Sequence, residues 1–440
     1  MTENIKIEKL VYEGLGLARK DGKVFFVKKS VPGDELEVAI TKNKKNTIEA
    51  EIVNIVKPSA DRIEPLCPHF NDCGGCEHMN ISYENQLKYK DEIFKEVMSR
   101  AGIETEVLDI IPGSNASTYY RNSIRFFFDI DQDNNISFAR HNINSEKGLI
   151  DIESCLLQSE TANEIMAKLK IFINTNIENK ASFWQLKIRE GKHTHEFMIE
   201  LITSSDELPD EKGIVKILTA VSPEIKSIYH TVAPGKSLKQ LRRKLIFGSP
   251  IIYEKIGKYK FQISPESFFQ TNSLGVETLY NTIKKFAKVE IGDEVLDLYC
   301  GTGSIGIYLS TLAKKVIGVE IVPEAIRDAK DNAKINKIQN IEFFCDDSGN
   351  GSLKQFENAI IIVDPPRAGL SKDLILKLKS SNFKRLIYTS CNPATFARDI
   401  KLFEENGVKL KKVQPIDMFP QTHHIECVGL LSKPLTEDLT

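Results

Sequence analysis

Cys391 stands in the segment YTSCNP, between an apolar run and an Asn-Pro turn. A strand end that delivers a thiol into a turn leaves it accessible, and an accessible thiolate is a strong nucleophile. Cys300, Cys345 and Cys427 lie in or beside apolar runs instead, and there a free cysteine reads as a small buried hydrophobe. Glu426 follows FPQTHHI and leads into the apolar CVGLL. Desolvation at such a place suits a carboxylate to proton transfer. The adjacent His423 and His424 lack the further ligands of a metal site and read as structural hydrogen-bonding groups.

A second group of residues reads as a nucleotide site. The segment DLYCGTGSIG follows one strand-like run and opens a helical one. Gly301, Gly303 and Gly306 fit G-x-G-x-x-G, and Glu320 ends the next strand-like run, 19 residues after Gly301. Glycines permit a tight turn and close approach of backbone to ligand, and the acid can bond ribose hydroxyls. The pattern alone does not separate a nicotinamide dinucleotide from S-adenosylmethionine. Asp364 ends the fourth strand-like run, and Pro365-Pro366 after it stiffen the loop into a wall fit for a planar ring. Asp346-Asp347, after the third strand, read equally as an adenine contact or as a polar loop.

Cys67, Cys73 and Cys76 form C-x5-C-x2-C, with a distant fourth cysteine at 155. Four such thiols can hold zinc or an iron–sulfur cluster, and spacing does not decide between them. The Gly74-Gly75 pair, which lets amides approach sulfide, tilts the reading mildly toward a cluster.

These residues need a scaffold, and 440 residues suffice for two to four domains. With 41% hydrophobic and 27% charged residues, the composition excludes a disordered or collagenous chain. No run of 18 apolar residues appears and the first ten residues are charged, so a cytoplasmic protein with no membrane contact is expected. The first 60 residues alternate short β-rich runs with Gly and Pro-Gly turns, the pattern of a small β-barrel. A helix is expected from about 83 to 101. From about 118 to 265 strand-like and helical runs mix as in an α+β region. From 266 onward a helix over 270–287 leads into strands alternating with helices, which predicts a doubly wound parallel sheet. Net charge is −2, but residues 224–260 hold nine Lys or Arg against two Glu, either a solvated face or an RNA-backbone contact. Tyr119, Tyr120, Arg121 and Arg125 form a further candidate RNA contact, equally readable as a half-buried strand.

Taken together, CPHFNDCGGC, YYRNSIRF, IDIESC, SFFQTN, DLYCGTGSIG, VDPPRAG, YTSCNPATFARD and FPQTHHIE resemble the RNA uracil-5-methyltransferase family. That family includes 23S rRNA (uracil-5-)-methyltransferases and tRNA uracil-54 enzymes, and the resemblance covers nearly the whole chain. It implies a multi-domain α/β protein. Residues 1–60 would be a TRAM domain, an OB-like RNA-binding barrel. Residues 61–265 would be a central α+β domain with the cluster and an RNA-binding surface. Residues 266–440 would be a Rossmann-like S-adenosylmethionine-dependent methyltransferase domain. Cys391 would be the nucleophile and Glu426 the general base. Gln270, Tyr299, Glu320 and Asp364, with Asp347 as adenine contact, would serve the cofactor. Cys67, Cys73, Cys76 and Cys155 match the family's [4Fe–4S] ligands. The TRAM domain and cluster together point to 23S rRNA over tRNA, and a monomer is the default. An adenine-N6 methyltransferase is disfavoured, because that chemistry needs an aromatic residue where Arg367 stands and no nucleophile. A non-catalytic RNA-binding factor is disfavoured because it needs neither Cys391 nor Glu426.

Overall fold

The computed structural model describes residues 2–144, 147–347 and 357–433. The chain divides into two compact units. Unit 1 gathers residues 1–117, 365–379 and 388–440; unit 2 holds residues 118–364 and 380–387. No helix among the described residues is long and apolar enough to cross a membrane.

Unit 1 opens with a six-stranded sheet in the order Thr2–Lys6, Glu35–Asn43, Thr47–Lys57, Lys23–Val27, Leu15–Lys20, Lys9–Val11. Ile5 and Ile7 at one side and Ala18 near the other share one core with Val27, Leu36 and Val38. One core touching both sides means that the sheet curls on itself, as a small barrel does. The helix Tyr83–Arg100 follows, with Ser82 accepting from the Asn85 N–H at its start. Its end is closed at Gly102, which has φ +72° and donates to Ser99 O at 2.9 Å. The rest of the unit is built on the strands Lys409–Asp417 and Glu426–Ser432, paired antiparallel, and the helix Pro393–Glu405.

Unit 2 carries a seven-stranded sheet, in order Leu149–Asp151, Ile136–His141, Ser123–Ile130, Phe183–Glu190, Phe197–Thr203, Ile225–Val232, Arg242–Gly248. It also carries four parallel strands in order Ile341–Cys345, Lys315–Glu320, Glu294–Leu298, Ile360–Val363. Helices Ser304–Ser310 and Pro323–Ile335 alternate with these strands, so the doubly wound pattern is present. The expected helix over 270–287 starts only at Ser273, because Asn272 caps it by accepting from Gly275 N–H. Gln270 is thereby left in a loop. The last parallel strand stops at Val363, since Pro365 and Pro366 cannot extend the ladder.

Candidate functional site

The glycine turn of unit 2 is organised by acids. The Gly301 N–H donates to Glu320 Oε2 at 3.2 Å, and Val322 N–H donates to Oε1 at 3.0 Å. Glu320 thus fixes the turn from the end of its own strand. Gly303 has φ +76°, and a Cβ there would come within 2.5 Å of the Phe343 ring, so this position admits only glycine. Tyr299, half-buried, also has a positive φ of 63°. Asp347 follows the neighbouring strand; Asp346 N–H donates to Glu320 O at 3.1 Å, which keeps this exposed pair beside Glu320.

Asp297 was not among the site residues expected from the sequence. It is fully buried at the end of its strand and accepts from Gly306 N–H at 3.0 Å. Burial pushes its carboxyl up to about 8, with nearby Asp364 and Glu320 adding to the shift. Burial likewise raises Asp364 to about 7. Three carboxyls therefore converge on one turn, and two of them ionise more readily once a positive charge arrives. A ligand with ribose hydroxyls and a cationic centre complements this arrangement.

The loop bearing Gln270 is clamped on both sides. Asn122 Nδ2 donates to Gln270 O at 2.7 Å and to Ser273 Oγ at 2.6 Å. Upstream, Lys187 Nζ donates to Pro265 O at 2.9 Å, and Arg189 donates to Ser264 O and Ser267 O. These cations, with Arg125, Arg243 and the exposed Leu238 and Phe268, line a cavity of about 520 Å³. Burial, helped by Arg189, pushes Lys187 down to about 7. The buried Glu200 pairs with Lys187 at 3.5 Å and Arg243 at 2.9 Å. In sequence Gln185, Lys187 and Arg189 alternate with apolar residues along Phe183–Glu190, which reads as a solvent face and hid this cavity.

Three sequence expectations are adjusted here. Tyr120 is fully buried and belongs to the core, so of the YYR segment Tyr119 is the exposed tyrosine. In 224–260, Arg242, Arg243 and Lys244 pair with Asp206, Glu200 and Glu211 from outside the segment, which offsets part of the excess, while Lys226 pairs with Glu224 inside it. Cys300 and Cys427 are buried as expected, but Cys345 is exposed, because its strand is the last in the parallel order.

Unit 1 brings Cys391 and Glu426 into one neighbourhood. Both act electrostatically on the fully buried Cys427 thiol, whose pKa burial raises first and these two raise further. Cys391 is half-buried at the end of the strand Arg385–Ser390, and Glu426, 2% exposed, starts its strand. After Cys391, Asn392 caps the helix Pro393–Glu405 by accepting from Ala394 and Thr395 N–H groups. Asn392 Nδ2 and Thr395 Oγ1 both donate to Arg367 O. Asp399 accepts from Leu370 N–H at 2.8 Å and Tyr388 Oη at 2.7 Å, which ties the PPRAG loop to the same helix.

The loop before Glu426 is pinned as firmly. Lys90 and Asp417, both fully buried, pair at 2.7 Å, and Lys90 also donates to Phe419 O. Removing one partner of such a pair costs about 3–5 kcal/mol. Gln421 O accepts from Glu77 and His78 N–H groups, both at 3.0 Å, and His423 N–H donates to Glu77 Oε2 at 3.2 Å. Burial first, then His423 and Arg367, pushes His424 down to about 3, so the neutral ring accepts from Arg367 Nη2 at 2.7 Å. His424 thus acts as a structural hydrogen-bonding group.

The segment Cys67–Cys76 lies over Lys29, which is 8% exposed and donates to Phe70 O and, at 2.8 Å, to Cys73 O. Gly75 N–H points at Cys73 Sγ at 3.3 Å. An amide donor beside sulfur suits a thiolate ligand, and Lys29 holds the carbonyls of this segment. Cys155, in unit 2, has its N–H bonded to Asn163 Oδ1 at 2.8 Å. Among the described residues no three His, Cys, Asp or Glu are grouped so as to hold a single metal ion.

Known proteins resemble this chain over its whole length. Residues 82–434 match the model of the tRNA (uracil-5-)-methyltransferase family, and residues 1–53 match the TRAM domain. A Bacillus cereus protein named as an uncharacterized RNA methyltransferase is 36% identical, over 98% of this chain and 96% of its own. A Fusobacterium nucleatum protein of the same description is 37% identical over the same shares. The crystal structure of Pyrococcus abyssi tRNA (uracil-54, C5)-methyltransferase in complex with S-adenosyl-L-homocysteine superposes with a TM-score of 0.77. It is 30% identical and covers 98% of this chain and 100% of that one.

Proposed function

Because the chain belongs to the tRNA (uracil-5-)-methyltransferase family, with a TRAM domain at its start, we propose that it methylates C5 of a uridine in 23S rRNA. The observation that carries this reading is that the strand Cys391 follows and the strand Glu426 begins are neighbours in one sheet. Uracil C5 is a poor nucleophile. Addition of the Cys391 thiolate to C6 turns C5 into an enolate carbon. S-adenosylmethionine, when bound, supplies an electrophilic sulfonium methyl to that carbon. Glu426 then takes the C5 proton, the C5–C6 double bond re-forms and the thiolate leaves. The base must leave its stack to meet the thiol. The cationic cavity with Phe268 at its edge suits RNA phosphate and an unstacked base.

Gln270, Tyr299, Glu320, Asp347 and Asp364 serve the cofactor in this reading. Its sulfonium suits the three carboxyls of the glycine turn. A pH dependence follows. Asp297 and Asp364 become protonated as pH falls through about 8 and about 7, so negative charge is lost below that range. S-adenosylmethionine is therefore expected to bind several-fold more weakly at pH 6 than at pH 8.5. S-adenosylhomocysteine has the same amino and carboxyl groups without the sulfonium, and it should change less. Calorimetric titration of both ligands checks this; identical pH profiles would count against it.

Cys67, Cys73, Cys76 and Cys155 hold a [4Fe–4S] cluster in this reading. Four cysteine ligands leave no iron open to bind S-adenosylmethionine, so the cluster serves structure or RNA binding in this reading and not radical chemistry. Protein purified without oxygen should show broad absorbance near 400 nm and bound iron, and Cys76→Ala should lose both. An unchanged spectrum would refute the ligand assignment.

A second reading, tRNA uridine 54 as target, is favoured by one observation. The Pyrococcus abyssi tRNA enzyme matches this architecture from end to end, so domain content alone does not select rRNA. Release of tritium from C5-labelled 23S rRNA and tRNA transcripts, offered in parallel, separates the two. Release from rRNA alone supports the first reading, release from tRNA alone the second. Release from neither, with cofactor bound, contradicts both.

A further inference from the structure

The turn Tyr12–Gly14 lies within the TRAM match, far in sequence from the catalytic residues. Tyr12 Oη nevertheless donates to Asn392 Oδ1 at 2.7 Å. Asn392 is the residue after Cys391 and caps the helix Pro393–Glu405. Its side-chain oxygen therefore takes three donors: Ala394 N–H at 3.0 Å, Thr395 N–H at 3.3 Å and the phenol. Its Nδ2 donates to Arg367 O at 3.3 Å, so both ends of the amide are engaged.

The same turn presses on the loop before Glu426. Glu13 holds φ +69°, a conformation that costs a non-glycine residue energy and persists only where its surroundings enforce it. At Gly14 a Cβ would come within 2.8 Å of both His423 Cβ and His78 Nε2. The backbone here has closed to a distance that no side chain permits. A salt bridge from Lys9 to Glu96, at 2.6 Å, ties the preceding strand to the helix Tyr83–Arg100.

From this geometry we infer that Tyr12 is a positioning residue for methyl transfer, setting Asn392 and hence the orientation of Cys391. The TRAM domain then has a second role beside RNA binding, as one wall of the nucleophile's setting. The inference rests on the reading of Cys391 as nucleophile. The phenol suits this role because it stays protonated and so remains a donor. Burial first, then the negative charges of Glu13 and Cys391, raise its pKa. A thiolate at Cys391 also precedes the N-terminus of a 13-residue helix, where negative charge is favoured, and that benefit depends on the cap holding its orientation.

The test uses the full chain and two readouts. Tyr12→Phe removes one oxygen and leaves the packing. Alkylation by iodoacetamide is followed by mass spectrometry on the peptides that contain Cys391 and Cys345. Loss of one such hydrogen bond is expected to slow alkylation at Cys391 about tenfold and leave exposed Cys345 unchanged. Turnover with RNA should fall by a similar factor in kcat, with KM for RNA unchanged. Equal Cys391 rates in both proteins would overturn the inference. So would a raised KM with unchanged alkylation, which would make Tyr12 an RNA contact. The alkylation readout uses no RNA. If the wild-type protein methylates nothing yet Tyr12→Phe slows Cys391, the proposed function fails and the positioning role stands.

Discussion

Cys391→Ala is expected to abolish methyl transfer, by roughly 10⁴-fold or more, while fold and cofactor binding persist. The size follows from the role: without a thiolate on C6 there is no enolate, and removal of a catalytic nucleophile typically costs that much. The mildness of the structural effect follows from the site. Cys391 is only half-buried, so deleting its sulfur leaves no sealed cavity and costs stability on the order of 1 kcal/mol or less. The carboxyls proposed to meet the cofactor belong to unit 2, whereas Cys391 belongs to unit 1. Binding of S-adenosylhomocysteine by calorimetry, the melting midpoint and turnover should therefore separate cleanly. Turnover retained within tenfold of wild type would remove the covalent mechanism.

Glu426→Gln is expected to have an effect of another kind. Glutamine keeps the size of the buried side chain, and the register of Glu426 against Ile416 in the sheet need not shift. Addition to C6 and methylation of C5 do not use the Glu426 carboxylate in this mechanism; removal of the C5 proton does. Overall turnover should fall about 10²–10⁴-fold. The methylated adduct should accumulate and survive denaturation as a protein–RNA band. Loss of activity with no adduct would assign Glu426 to an earlier step. Activity near that of wild type would show that another group takes the proton.

What was readable from the sequence was local. The glycine turn, its strand and Glu320 fall within 27 consecutive residues, and each has a backbone reason to be what it is. The helix Tyr83–Arg100 announced itself by its spacing and by the glycine that ends it. What escaped was non-local. Tyr12 and Asn392 are 380 residues apart, and nothing in YEG marks it as a neighbour of CNP. The charge excess over 224–260 shrank because three of its partners, Asp206, Glu200 and Glu211, lie outside the segment. Lys187 and Arg189 looked like the polar face of a strand, yet they turn inward to hold carbonyls of the loop before Gln270. Asp297 was visible as a residue of the motif, but its role came only from burial and from the Gly306 N–H. Compactness also joined residues 365–379 and 388–440 to the N-terminal 117, a grouping that no composition shift signals.

The whole mechanism turns on a bond between Cys391 and C6 of the target uracil. An RNA transcript carrying 5-fluorouridine, offered to wild-type protein with S-adenosylmethionine, reads that bond without an intermediary. Fluorine takes the place of the proton that Glu426 must remove, so the adduct has no exit. A denaturation-resistant complex is expected, whose digest places methylated fluorouridine on the Cys391 peptide and which is absent from Cys391→Ala. A transcript methylated at C5 when it carries uridine, with no adduct on any cysteine when it carries fluorouridine, would overturn the covalent mechanism.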